Sequence, residues 1–436
     1  MTEFASTDLL LEIIKDQKKG IPRGVFSICS ANPFVLKASM QFAKDHQTWV
    51  SIESTCNQVN QDGGYTGMVP AEFVESVRIL ANAIGVPENR VLLGGDHLGP
   101  NPWKHLPADV AMLKAVELVE AYVQAGYRKI HLDCSMACAD DPDQSKLDLK
   151  VEADRAARLC AAAESAFQQG SSKNAPVYII GTEVPVPGGV EGEDEGLQIT
   201  SPQSVEESLS AYHTVFEQYN IENVWDRVIG FVVQPGVEFG HFDIHDYDPS
   251  KAAALSAYIK NNPTMVYEAH STDYQLPYAL KKLVVDHFAI LKVGPALTFA
   301  FREAVYALAQ IEKILFQGKL KSEQSSILEV VDRVMVEYPQ YWKNYYLGNA
   351  DEQAVARMFS FSDRIRYYWP DERVEVALYK LIENLSRKDI PLVLISQFMP
   401  EQHEHIRGGV LKPDPEALIY AHIKTILYLY HTACMP

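Results

Sequence analysis

The 436-residue sequence has little that would mark it as a secreted, membrane or nucleic-acid-binding protein. Its six cysteines (29, 56, 134, 138, 160 and 434) include no CxxC pair. They form neither a disulfide framework nor a zinc-finger set. No run approaches the roughly 18 apolar residues of a membrane span. The first twenty residues, "MTEFASTDLLLEIIKDQKKG", are too polar for a secretory signal, so a cytoplasmic location is expected. Basic charge is also scarce: 39 Lys and Arg face 57 Asp and Glu, a net charge of −18. Such a surface repels phosphate backbones, so no nucleic-acid partner is expected, although a local basic pocket could hold a small phosphate. No GxGxxG follows the first apolar run, and no phosphate-loop or protein-kinase signature occurs, which argues against a Rossmann domain and a kinase.

What the sequence does have is a recurring alternation. Eight short Val- and Ile-rich runs are candidate strands: 24–29, 49–54, 90–95, 129–134, 176–183, 228–233, 264–269 and 288–293. Between them lie stretches with helical spacing, such as 70–85, which opens on Pro70 and closes on Gly85. Eight strand–helix units predict a (β/α)8 barrel over residues 1–318. From Ser322 the strand-like runs nearly vanish and aromatic-rich helical segments follow at 327–346, 371–386 and 416–433. Residues 319–436 are therefore expected to form a helical extension packed on the barrel.

In such a barrel the loops after the strands share one face, and the site sits there. The strand ends read Glu53 and Asn57; Asp96 and His97; Asp133 and Ser135; Glu183; Gln234; Glu268, His270 and Asp273; and Lys292. Each has a plain structural reading. His97 could be a core histidine bonded to a carbonyl, Glu268 and His270 a buried pair, and Lys292 a partner for a barrel carboxylate. A Schiff-base role for Lys292 ranks below these. The acidic stretch 187–196 reads equally as a solvated loop or a lid. Taken together, the ring points to a metal-assisted or acid–base enzyme. His97 and His270 are candidate ligands, with Glu183 or Gln234 adding oxygen. Mixed nitrogen and oxygen donors suit zinc first, then manganese or cobalt. Asp96 beside the metal is the candidate acid/base.

Five stretches carry a resemblance: "GGDHLGPNPW", "KIHLDCSMACADD", "TEVPVPGG", "EAHSTDYQ" and "HFAILKVGPALTFAFREAVYALAQIE". They resemble the Z-type subunit of class II D-tagatose-1,6-bisphosphate aldolase, a family also labelled tagatose-6-phosphate kinase. The likeness runs over nearly the whole chain. It implies a zinc-type barrel in which Asp96 is the acid/base and His97 and His270 are metal ligands. Asp133 and Glu183 join the candidate catalytic groups. Glu53, Asn57, Ser135, Ser271, Asp273, Lys292 and Arg302 are expected around a sugar-phosphate substrate. Two departures stand out. Gln234 takes the place of a ligand histidine after the sixth strand, and "HSTDYQ" lacks the glycines of a phosphate loop.

Both departures count against aldolase cleavage by this chain alone. The resemblance implies instead a subunit that supports a catalytic Y-type partner, and a homo-oligomer. The alternative is a stand-alone metal-dependent 4-epimerase of fructose and tagatose 6-phosphates. It would open and re-form the bond between carbons 3 and 4 after Asp96 takes the carbon-4 hydroxyl proton.

Overall fold

The structure, a computed structural model, describes residues 6–143, 147–181 and 197–436. All eight expected runs are strands: β1 (Val25–Cys29), β2 (Val50–Thr55), β3 (Val91–Leu98), β4 (Lys129–Leu132), β5 (Val177–Ile180), β6 (Val228–Val233), β9 (Val266–Ala269) and β10 (Ile290–Val293). A short hairpin, β7 (Glu238–Phe239) and β8 (Ile244–His245), follows β6. The eight long strands pair in parallel and close into a barrel in the order β1-β10-β9-β6-β5-β4-β3-β2. Parallel strands buried on both faces need continuous apolar sequence rather than alternation, which is why these runs were legible.

Helix ends obey local chemistry. The helix Pro70–Ile84 starts with proline at its first turn and stops at Gly85, whose φ of 88° is left-handed. The helices Asp8–Lys18 and Pro415–Cys434 have larger roles. The first packs Leu9, Leu10, Ile13 and Ile14 against the barrel's lower interior, among Leu92, Ile179, Ile229 and Ile290. It plugs the end opposite the strand C-termini with hydrocarbon. The second packs on the helices Pro33–Asp45, Pro277–Val285 and Pro295–Leu315 and touches β1. Its Cys434 carbonyl accepts from the Gly24 amide at 2.9 Å. Its Tyr430 hydroxyl donates to the Thr272 carbonyl at 2.7 Å. The chain beyond residue 318 thus forms part of the barrel wall as well as an outer layer.

Candidate metal centre and active site

Above the apolar base, the barrel interior is charged. Lys129 on β4 contacts Glu53 of β2 at 2.8 Å and Glu268 of β9 at 2.5 Å. Lys292 on β10 pairs with Glu53 and lies 2.8 Å from Asp96. Gly94 makes this layer possible. A Cβ there would sit 2.7 Å from the Glu53 Cγ, so only glycine leaves room for that side chain.

Asp96 and His97 are neighbours on β3, and successive strand residues normally face opposite ways. Here the register of β3 against β4 slips between Gly95 and Leu98, and His97 adopts a φ of 49°. This bulge turns both side chains into the mouth, at the cost of a left-handed backbone that a non-glycine residue rarely adopts. His97 Nδ1 lies 2.6 Å from Asp133 Oδ2. That leaves Nε2 directed to the centre, where it approaches Asp96 Oδ1 at 3.9 Å.

Two more imidazoles face His97, with ring centroids 4.8 Å away for both His131 and His270. The His97 amide donates to His131 Nδ1 at 3.2 Å, and His131 Nε2 lies 3.2 Å from the Gly181 carbonyl. A tautomer with its proton on Nε2 satisfies both contacts. Nδ1 also lies 3.2 Å from Asp96 Oδ1, so a cation held beside them would take the lone pair that now accepts from the His97 amide. His270 Nε2 bonds Glu268 Oε1 at 2.9 Å, which leaves its Nδ1 available. One donor atom from each of Asp96, His97, His131 and His270 falls within 4.8 Å of the others.

The charge balance gives an independent test of fit. Four buried carboxyl groups, Glu53, Asp96, Asp133 and Glu268, face two buried ammonium groups, Lys129 and Lys292. If all are ionised and the three imidazoles are neutral, the surplus is two negative charges, and burying it uncompensated would be costly. A divalent cation among the three imidazoles would balance it. Burial pushes His270 down to about 4, keeping its ring neutral as a ligand must be. Burial acts to raise the Asp96 carboxyl, but Lys292 and then His97 outweigh it and hold it well below the usual range. For His97, burial acts downward, yet Asp96 and Asp133 outweigh it and favour the protonated ring, so a cation binding there would displace that proton. The donor set suits a divalent metal.

Three of the four cluster residues lie on the wall of a cavity of about 540 Å3, and His131 is buried behind it. Asn57, Asp96, His97, His270, Ser271, Asp273 and Lys292 line it, as expected from the strand ends. Asp133, expected among the catalytic groups, is not on the wall. It sits behind His97 and also accepts from the Ser135 hydroxyl at 2.8 Å. Glu53 is buried within the ion layer below.

Three further expectations need correction. Ser135 does not line the cavity, since its hydroxyl is turned to Asp133 behind His97. Gln234 does not line the cavity, and its oxygen is committed elsewhere: Oε1 accepts from the Gly236 and Val237 amides at 2.8 and 3.0 Å, stabilising the turn after β6. Arg302 does not reach the cavity wall. It is buried beside Asp363 at 3.4 Å and over the Phe299 ring. Glu183 and the acidic stretch 187–196 lie outside the described residues.

Three groups escaped the sequence reading. His131 and Lys129 could have been found, because Lys129, His131 and Asp133 alternate along one strand and share its inward face. Arg366 could not, since it reaches the cavity from the segment beyond the barrel, where no strand end marks it.

Comparison with known proteins agrees with this architecture. A family model described as D-tagatose-1,6-bisphosphate aldolase subunit GatZ/KbaZ-like matches residues 10–435. A solved structure from Sinorhizobium meliloti 1021, described as a probable tagatose 6 phosphate kinase, is 47% identical, with a TM-score of 0.86. The match covers 94% of this chain and 100% of that one. A fructose-bisphosphate aldolase from Campylobacter jejuni is a remote likeness, at 14% identity and a TM-score of 0.44 over 87% of this chain and 92% of that one. With 426 of its residues matched from end to end by the family model, the chain belongs to the GatZ/KbaZ-like family of D-tagatose-1,6-bisphosphate aldolase subunits.

Proposed function

We propose that this protein is itself an enzyme of aldol chemistry, a metal-dependent 4-epimerase of ketohexose phosphates such as fructose 6-phosphate and tagatose 6-phosphate. The observation that carries the reading is Asp96, an ionised carboxylate on the wall of a sugar-sized cavity, beside His97 and His270 on the same wall and His131 buried behind it. His97, His131 and His270 would hold a divalent ion, zinc first and manganese or cobalt next. When bound, it supplies Lewis acidity toward a ketone oxygen.

The chain's own groups do the rest. Asp96 accepts the proton of the carbon-4 hydroxyl as the bond between carbons 3 and 4 opens, giving an aldehyde and an enediolate half. After the aldehyde presents its other face, the bond re-forms and Asp96 returns the proton. Lys292 keeps Asp96 ionised between turnovers. Glu268 and Asp133 hold His270 and His97 in place.

Incubating the pure protein with fructose 6-phosphate and Mn2+ or Zn2+, followed by NMR, tests this. Tagatose 6-phosphate should accumulate, and Asp96→Asn should slow its formation by roughly two to four orders of magnitude while the protein stays folded. No turnover with any divalent metal and any ketohexose phosphate would remove the enzyme reading. A second reading has its support in the family's description as a subunit: the chain supports a catalytic Y-type aldolase. In that case it is inert alone and lengthens the working lifetime of the Y-type protein on mixing.

A further inference from the structure

The cavity wall carries one group that repels anions and another that attracts them. In a (β/α)8 barrel, the loops after the seventh and eighth strands and a nearby helix N-terminus commonly cradle a phosphate. The corresponding amides here are those of Gly294 and Ala296, where the helix Pro295–Leu315 begins. They are already taken. Asp273 Oδ1 accepts from the Gly294 amide at 3.0 Å and from the Ala296 amide at 2.8 Å. Asp273 is buried and lines the cavity, so an anion approaching this cradle meets a carboxyl group.

Arg366 lines the same cavity and carries the opposite charge. Its Nη1 donates to the carbonyls of Ser362 and, at 3.1 Å, Asp363. Its Nη2 donates to the Tyr367 hydroxyl at 3.0 Å, and Tyr367 meets Tyr65 edge-on at 4.9 Å. The guanidinium is therefore hydrogen-bonded by neutral oxygens and makes no ion pair within 4 Å among the described residues, although the Asp273 and Asp363 carboxyl groups lie within range of its charge. Lys292, the other lining cation, is committed to Glu53 and Asp96. Glu238, Asp243 and Glu375 add carboxyl groups to a wall that is otherwise largely apolar, with His241 and His245 among them.

We propose that Arg366 reads a single terminal anionic group on the ligand and that Asp273 closes the second anion cradle, so that the cavity selects a singly anionic ketose over a bisphosphate. The inference rests on the ketose reading of the cavity and makes it more specific. A guanidinium fork accepts either a phosphate or a carboxylate, while a carboxylate already seated on the helix amides repels a second phosphate.

Calorimetric titration of the full-length protein tests it with fructose, fructose 6-phosphate, fructuronate and fructose 1,6-bisphosphate as probes. At least one of the two singly anionic ligands should bind about tenfold or more tighter than fructose and than the bisphosphate, the scale of one charged hydrogen-bonding contact. Which of the two binds tighter distinguishes a phosphate from a carboxylate terminus. Arg366→Gln should erase the advantage over fructose, Arg366→Lys should restore part of it, and Asp273→Asn should narrow the gap to the bisphosphate. The proposal fails if the bisphosphate binds tightest, if no probe binds, or if a folded Arg366→Gln variant keeps the preference. Binding with these preferences but no interconversion would remove the epimerase reading alone. Interconversion with unchanged preferences in Arg366→Gln would remove this inference alone.

Discussion

His97 Nδ1 lies 2.6 Å from Asp133 Oδ2, so a carboxylate at the end of β4 fixes the ring of a histidine at the end of β3. The contact needs a close approach of the two loops. Gly99 provides it, for a Cβ there would fall 1.7 Å from the Asp133 carbonyl oxygen. Asp133 acts behind His97 rather than on a ligand.

Asp133→Asn keeps the shape and weakens the orienting interaction. Metal affinity should fall about 10- to 100-fold, as for other outer-shell partners of a ligand histidine. Competition with a chromophoric chelator measures it. An unchanged affinity would mean that His97 does not bind the metal through Nε2.

Metal removal should destabilise the fold, because the surplus buried negative charge loses its counter-ion. At free metal a hundredfold above its Kd, binding contributes about 2.7 kcal/mol to stability. A chelator should therefore lower the melting temperature, and added Zn2+ or Mn2+ should restore it. A melting curve indifferent to chelator and metal would count against the centre.

His287, just before β10, gives a pH dependence separate from the metal centre. Its Nδ1 is 2.8 Å from Gln17 Oε1. Burial, with Lys18 and Lys260 nearby, pushes it down to about 4. The unfolded chain takes up this proton near pH 6.5, before the folded chain does. The stability this residue contributes is thus full above about pH 6.5 and is lost as pH falls toward 4. Urea unfolding across that range should show a shallower decline for His287→Gln than for the wild type.

Arg302 and Arg366 should separate cleanly. Arg302→Gln leaves buried Asp363 without its ion-pair partner, and breaking such a pair costs about 3–5 kcal/mol. Denaturant titration should detect that loss, while the affinity for fructose 6-phosphate in the surviving folded protein stays near that of the wild type. A large fall in affinity with unchanged stability would place Arg302 at the ligand.

The sequence by itself determined the barrel. Eight apolar runs separated by helical spacing admit few other closed arrangements, and strand ends such as Asp96, His97, His270 and Lys292 follow from where the runs stop. Tertiary structure decided which of those ends meet. The bulge at Asp96 and His97 depends on how β3 pairs with β4, and period-two alternation cannot show such a slip. His131, inside a strand rather than at its end, becomes a donor because its inward face meets two other imidazoles. Gln234 holds a strand-end position yet turns to its own loop amides, since two nearby N–H groups there needed an acceptor. Arg366 reaches the cavity because the segment beyond residue 318 folds back over the mouth. Such long-range contacts depend on the whole packed chain, while strand and helix boundaries are written locally in side-chain volume, branching and the placement of proline and glycine.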